Sequence, residues 1–211
     1  MENIDIFFND KIRQKLWIKA KPIELVTEEW LEGDSMAEKA KWYEPIQTAL
    51  TLNQMRQAYA YFYGAKGQKL TKKTMDALVK AEPEYFKRYS KAEMEQIYRN
   101  SLNKIGLDCS GFVVSCISHG CPVTYSTALY EATTDKTTPS AGPACSLLYT
   151  DTPSRHIGLD IGYGFYADMG CESTDAAVAA GMDSVRIRMI KGSSFTKSGR
   201  SPYVDYHGAT T

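Results

Sequence analysis

Two short runs carry the residues able to do covalent chemistry. Asp108-Cys109-Ser110-Gly111-Phe112 sets a cysteine at the start of a predicted helix, and Arg155-His156-Ile157-Gly158 sets a histidine at the start of a predicted strand. A thiol at a helix N-terminus meets unpaired N–H groups and partial positive charge, both of which favour its anion. An imidazole beside it adds an ion-pair partner and a proton carrier. Together they are the nucleophile and base of acyl transfer. Gly111 leaves room for a substrate carbonyl to approach the thiol, and the backbone N–H of Cys109 can donate to the developing oxyanion.

The histidine needs a group to orient it. His156 opens an alternating run in which His156, Gly158 and Asp160 share one face. After Gly162-Tyr163-Gly164 the chain returns through Phe165-Tyr166-Ala167-Asp168. A three-residue loop over 162–164 pairs Gly158 with Asp168 and sets Asp168 diagonally beside His156 on the same face. A two-residue loop over Gly162-Tyr163 puts them on opposite faces. Gly164 can take the left-handed backbone that the longer loop requires, so Asp168 is expected to support the imidazole, with Asp160 on the preceding strand as its competitor.

The elements that must hold these residues follow from pattern. Residues 1–57 read as a charged, helical N-terminal extension, with apolar patches at Leu16-Trp17-Ile18 and Trp30-Leu31. A helix from Pro45 through Phe62 would stack Leu52, Met55, Tyr59 and Phe62 on one face. Thr71 caps a helix over 72–80. Ser90, with Glu93 three residues on, makes a capping box for a helix over 91–102. In the cysteine segment, Cys109, Phe112, Val113, Cys116 and Ile117 recur at the spacing of a buried helical stripe. Residues 122–145 read as a long loop with one short helix near 125–131. Strands are expected over 146–149, 156–161, 165–168, 184–189 and 203–206. Helices first and strands second predict an α+β fold, helices packed on one antiparallel sheet.

Composition removes several function classes. The 211 residues carry 25 Lys and Arg against 25 Asp and Glu, so the formal charge is zero. A nucleic-acid binder built on phosphate neutralisation would need a basic excess, and no membrane-surface partner is implied either. The five cysteines are Cys109, Cys116, Cys121, Cys145 and Cys171, with no Cys-x-x-Cys pair and only three histidines. This spacing offers no zinc-ligand set, and no metal or cofactor is expected. The odd count points to reduced thiols, and the first eight residues lack the basic start and apolar core of a signal peptide. Synthesis and folding in the cytoplasm are the expectation.

These motifs carry a family resemblance. Asp-Cys-Ser-Gly-Phe, then His-Ile-Gly and a Gly-x-Gly leading to an acidic residue, resembles the NlpC-type cell-wall cysteine peptidases. Upstream, Ala60-Tyr61-Phe62-Tyr63-Gly64-Ala65-Lys66-Gly67-Gln68 looks like the tyrosine-bearing segment of phage-type members. The resemblance spans about residues 58–206, and the order of cysteine before histidine fits the unpermuted branch. It implies a papain-like domain over 58–211 with a helical insertion at 71–104, cutting peptidoglycan stem peptides, commonly at the γ-D-glutamyl to diamino acid bond. By the same match Cys109 is the nucleophile, His156 the base, Asp168 the third member and Tyr61 a substrate-holding hydroxyl, with Ser110 beside it. Action at the cell wall would follow release or phage delivery. The third position in such enzymes is more often His, Asn, Gln or Glu, and Asp160 stands where the family often has a tyrosine. Residues 1–57 have no counterpart in it.

Plainer readings accompany each assignment. Cys116, Cys121, Cys145 and Cys171 read as inert core thiols. Tyr61, between Tyr59 and Tyr63, fits an aromatic core stripe as well as a substrate contact. His119 and His207 read as a helix C-terminal cation and a surface residue. The Lys/Glu-rich run 72–99 is a solvated helical face or a wall over the cleft. The same dyad would equally serve an acyltransferase or deamidase, and the same fold a non-catalytic wall-binding or assembly module. Oligomeric state is not encoded in any motif.

Overall fold

A computed structural model describes residues 40–117, 134–137, 139, 144–150, 155–170, 184–201 and 203–208. Residues 1–39, the expected helix near 125–131, Cys121, Cys171 and His119 lie outside the described residues. The chain forms β1 (Ala40–Lys41), α1 (Tyr43–Gln54), a 3-10 turn (Arg56–Ala58), β2 (Tyr59–Tyr61), β3 (Lys66–Lys69), α2 (Lys72–Ala81), α3 (Pro83–Phe86), α4 (Lys91–Ser101), β4 (Ile105–Leu107) and α5 (Cys109–Ile117). Then come β5 (Thr134–Thr137), β6 (Leu147–Thr150), β7 (His156–Gly162), β8 (Phe165–Met169), β9 (Val185–Met189), β10 (Lys197–Arg200) and β11 (Val204–Asp205).

The architecture is α+β. Six strands make one antiparallel sheet in the order β5-β10-β6-β7-β8-β9. A three-stranded sheet, β2-β4-β3, flanks it, with β2 parallel and β3 antiparallel to β4, and β1 pairs in parallel with β11. The single antiparallel sheet of the sequence reading is therefore joined by two smaller ones.

The cysteine helix is set by packing. Nine residues alone make a marginal helix, yet Ser110 through Ile117 are all buried. Phe112, Val113 and Cys116 share a core with Ile46, Ala49 and Leu52 of α1 and with Leu147, Ile157, Leu159 and Ala167 of the sheet. Each fully buried aliphatic or aromatic side chain here contributes about 1.5–3 kcal/mol, enough to fix a short helix whose intrinsic propensity is weak. Gly111 has a different task from the one its position suggested. A Cβ there would stand 2.8 Å from the Ala65 carbonyl oxygen, so the missing side chain admits the backbone before β3 and not a substrate.

The helix expected through Phe62 ends early. Tyr43–Gln54 is helical, the 3-10 turn follows, and Tyr59–Tyr61 is extended beside Ile105–Leu107. Parallel pairing to β4 overrides helical composition there, because Tyr59 and Ala60 are buried as strand residues. α1 lies within the stretch read as an extension, and its apolar face is part of the main core.

Both expected caps form. The Thr71 hydroxyl accepts from the Thr74 N–H, and Ser90 from the Glu93 N–H, each with a reciprocal bond back to the cap. α2, α3 and α4 pack Met75, Phe86 and Ile97 on Phe62, Ala65 and Leu70, a second core distinct from the first. Thr134–Thr137, within the expected loop, is an edge strand on β10. Backbone pairing needs no apolar pattern at a sheet edge, which is why composition concealed it.

Candidate active site

Asp108 begins the site. Its carbonyl accepts the first helical bond, from Phe112 N–H at 2.9 Å, and its Oδ1 accepts from Gly111 N–H at 2.7 Å. It is thus the cap of α5, and Cys109 is the first helical residue. Cys109 is partly exposed, whereas Cys116 and Cys145 are fully buried, and burial pushes both of their thiols well up. Among the described cysteines, only Cys109 is reachable from solvent.

His156 is delivered by β7. The hairpin to β8 turns on Tyr163 and Gly164, with φ of 55° and 79°, both left-handed. The register shifts between Asp160 and Gly162, so a one-residue bulge accompanies the two-residue turn. The outcome equals the register of the longer loop: Leu159 faces Ala167, and Asp168 falls diagonally beside His156. His156 Nε2 and Asp168 Oδ2 are 2.7 Å apart. Asp160 lies elsewhere, its Oδ1 accepting from Gly162 N–H at 2.8 Å.

Burial pulls the imidazole down, but hydrogen bonds to Asp168 and Cys109, and the charge on each, outweigh it and raise His156 to about 9. Phe195 stacks on the ring, with centroids 5.5 Å apart and planes 15° from parallel. With Nε2 held by Asp168, Nδ1 is the nitrogen left for the sulfur.

Asp168 is buried, and burial raises a carboxyl. Its hydrogen bond to His156 and the adjacent Arg186 guanidinium overcome that and hold it at about 2. Arg186 stands directly opposite on β9 and donates from Nε at 2.9 Å and from Nη2 at 2.5 Å. Gly170 is what lets it reach: a Cβ there would stand 1.8 Å from Arg186 Nη2. A strand over 184–189 is expected from the sequence, but no local signal gives its partner, so Arg186 is not among the residues the motifs single out.

Tyr61 ends β2 near the thiol. Burial is the main reason its hydroxyl is raised well above the ordinary range, and Tyr85, Cys109 and Asp108 add to it. Tyr85 Oη contacts Tyr61 Oη at 3.5 Å, and the Tyr85 ring stacks on Tyr63 with centroids 3.8 Å apart. The helical segment 71–104 therefore puts an aromatic side chain, Tyr85, beside the tyrosine segment.

Ser110, expected to contact substrate, has its hydroxyl engaged within the protein. It accepts from Lys66 Nζ at 2.6 Å and donates to Asp108 Oδ1 at 2.9 Å. Lys66 Nζ also donates to both Asp108 oxygens, at 2.6 and 2.5 Å. Lys66 lies in the tyrosine segment, and nothing local in the sequence pairs it with a residue 42 positions away. Among the described residues, no group of three or more His, Cys, Asp or Glu could hold a metal ion, and no helix is long and apolar enough to cross a membrane.

No family model matches the sequence, and neither does any curated protein. Among solved structures the chain is similar to the NlpC/p60 domain of the peptidoglycan hydrolase SagA, at 16% identity over 76% of this chain and 99% of that one, with a TM-score of 0.43. It is also similar to the peptidoglycan hydrolase RipB from Mycobacterium tuberculosis, at 15% identity over 88% of this chain and 98% of that one, with a TM-score of 0.35.

Proposed function

We propose that the chain is a papain-like cysteine peptidase of the NlpC type that hydrolyses an amide bond in peptidoglycan stem peptides, with Cys109, His156 and Asp168 as its catalytic residues. One observation carries the reading. The solvent-reachable thiol is the first residue of a buried helix, and the imidazole whose protonated form it favours is anchored 2.7 Å from a buried carboxylate.

The chemistry follows from those positions. The Cys109 sulfur attacks the amide carbonyl carbon, and the carbonyl oxygen takes the electron pair. The backbone N–H of Cys109, without a helical acceptor in the first turn, donates to that oxyanion. His156 gives its proton to the leaving amine, the C–N bond breaks and a thioester remains. His156 then takes a proton from water, whose oxygen attacks the thioester and returns the sulfur to its anion. Raised to about 9, the imidazole stays protonated through neutral pH and is ready as the acid for the leaving group. Tyr61 holds substrate beside the sulfur, and Ser110 orders the loop through Asp108.

The substrate class rests on the Asp-Cys-Ser-Gly-Phe and His-Ile-Gly motifs, and the phage-type branch on the Ala60–Gln68 segment. The bond proposed is γ-D-glutamyl to diamino acid. Mass spectrometry of muropeptides incubated with the purified chain tests this. Hydrolysis at that bond yields disaccharide dipeptides ending in D-glutamate. Intact muropeptides would reject the substrate, and products bearing a new amine in place of water would identify an acyltransferase.

A further inference from the structure

The cap of the nucleophile's helix contains a charge problem. Asp108 is buried and immediately precedes Cys109, with its Oδ1 on the Gly111 N–H. An anion there satisfies the helix start but opposes a second anion on the adjacent sulfur. Serine or asparagine would cap without that charge.

Lys66 answers it. Its ammonium reaches from β3 to both Asp108 oxygens, at 2.6 and 2.5 Å, and to Ser110 Oγ at 2.6 Å. The lysine side chain is 19% exposed and that of Asp108 9%, so solvent screens the pair little. The other titratable groups around the sulfur are Tyr61 at the end of β2, Tyr63 just after it and His156 on β7. Asp168 of β8 and Arg186 of β9 back the histidine and compensate each other. Lys66–Asp108 is thus a second compensated pair, on the helix side of the sulfur.

We infer that Lys66 is a charge-balancing, positioning residue of the Cys109 site: by holding Asp108 and Ser110 together, it lets a carboxylate cap the helix without opposing the thiolate. The inference rests on Cys109 being the nucleophile. It makes opposite demands of the two partners. Removing the cation leaves an uncompensated anion beside the sulfur. Removing the anion leaves an uncompensated cation.

The test is the rate of iodoacetamide alkylation of Cys109 against pH, read by peptide mass spectrometry on the full chain. Lys66→Gln should move the midpoint up by about one unit, which is about tenfold slower labelling on the acid side. Asp108→Asn, whose amide oxygen can still accept from Gly111, should move it down. The double variant should return to within about threefold of the wild-type rate, and Lys66→Arg should stay there. A purely structural network gives shifts of one sign, so like-signed shifts, or none, overturn the inference. Should Lys66→Gln not fold, Asp108→Asn alone decides: an unchanged or raised midpoint refutes it. The wild-type profile judges the nucleophile reading separately, since an ordinary-thiol midpoint there would remove Cys109 from that role.

Discussion

Arg186 grips Asp168 from the neighbouring strand through two hydrogen bonds, while the same carboxylate holds His156 from the other side. A buried acid with one cation would be poorly compensated. With two, it stays ionised and keeps the imidazole in one orientation.

Arg186→Met should therefore destabilise the fold by about 3 kcal/mol, since it strands a buried carboxylate. Gly170→Ala, whose Cβ would stand 1.8 Å from the guanidinium, should cause much of the same loss. Because both act on one contact, the double variant should fall well short of the sum. Urea denaturation of the three proteins checks this, and full additivity would mean that Gly170 serves something else.

Asp168→Asn should bring His156 down from about 9, because burial, the largest single influence on the ring, then acts with less opposition. The alkaline limb of kcat/KM, set by loss of the imidazolium, should move to lower pH by about one unit or more. At pH 8.5 the variant should be at least about threefold slower from this shift alone. A limb still near 9 in the variant would remove Asp168 from its supporting role.

Stability should follow pH with three separable slopes. His156, raised to about 9, contributes stability that is complete below its unfolded value of about 6.5 and is lost as pH rises through 9. Asp168, held at about 2, contributes stability present above about 3.9 and lost as pH falls through 2. Burial raises Asp160 to about 6, so its neutral form favours folding below about 3.9, and that gain fades as pH rises through 6. His156→Gln should flatten the profile between 6.5 and 9, and Asp160→Asn that between 4 and 6. Denaturation midpoints across pH measure both, and unchanged slopes in either variant would contradict the assignment.

Gly111→Ala should cost about 1–3 kcal/mol by pushing the cysteine helix off the Ala65 carbonyl, 2.8 Å from the new Cβ. Thermal denaturation reads the loss. A variant as stable as the parent would show that the helix can shift freely.

What could be read from the sequence was local. Thr71 and Ser90 announce their helices because a cap and its partner lie three residues apart. The relation of His156 to Asp168 follows from hairpin register, although the chain reaches it by a two-residue turn with a bulge. Long-range pairings were hidden. β2 and β4 are three residues each and pair across 46 positions, with no turn between them to announce it. Arg186 depends on how β9 aligns with β8, and Lys66 on the start of β3 meeting a helix cap, neither of which leaves a periodic signal. Gly111 illustrates the ambiguity of a single residue, since room beside a thiol and room for a neighbouring backbone look alike in one dimension.

Cleavage of purified peptidoglycan by Cys109→Ala, beside the parent chain and with folding verified by circular dichroism, is the most direct measurement. The parent should release new stem-peptide amines, and the folded variant should release none. Undiminished release by the folded variant would contradict Cys109 as the nucleophile.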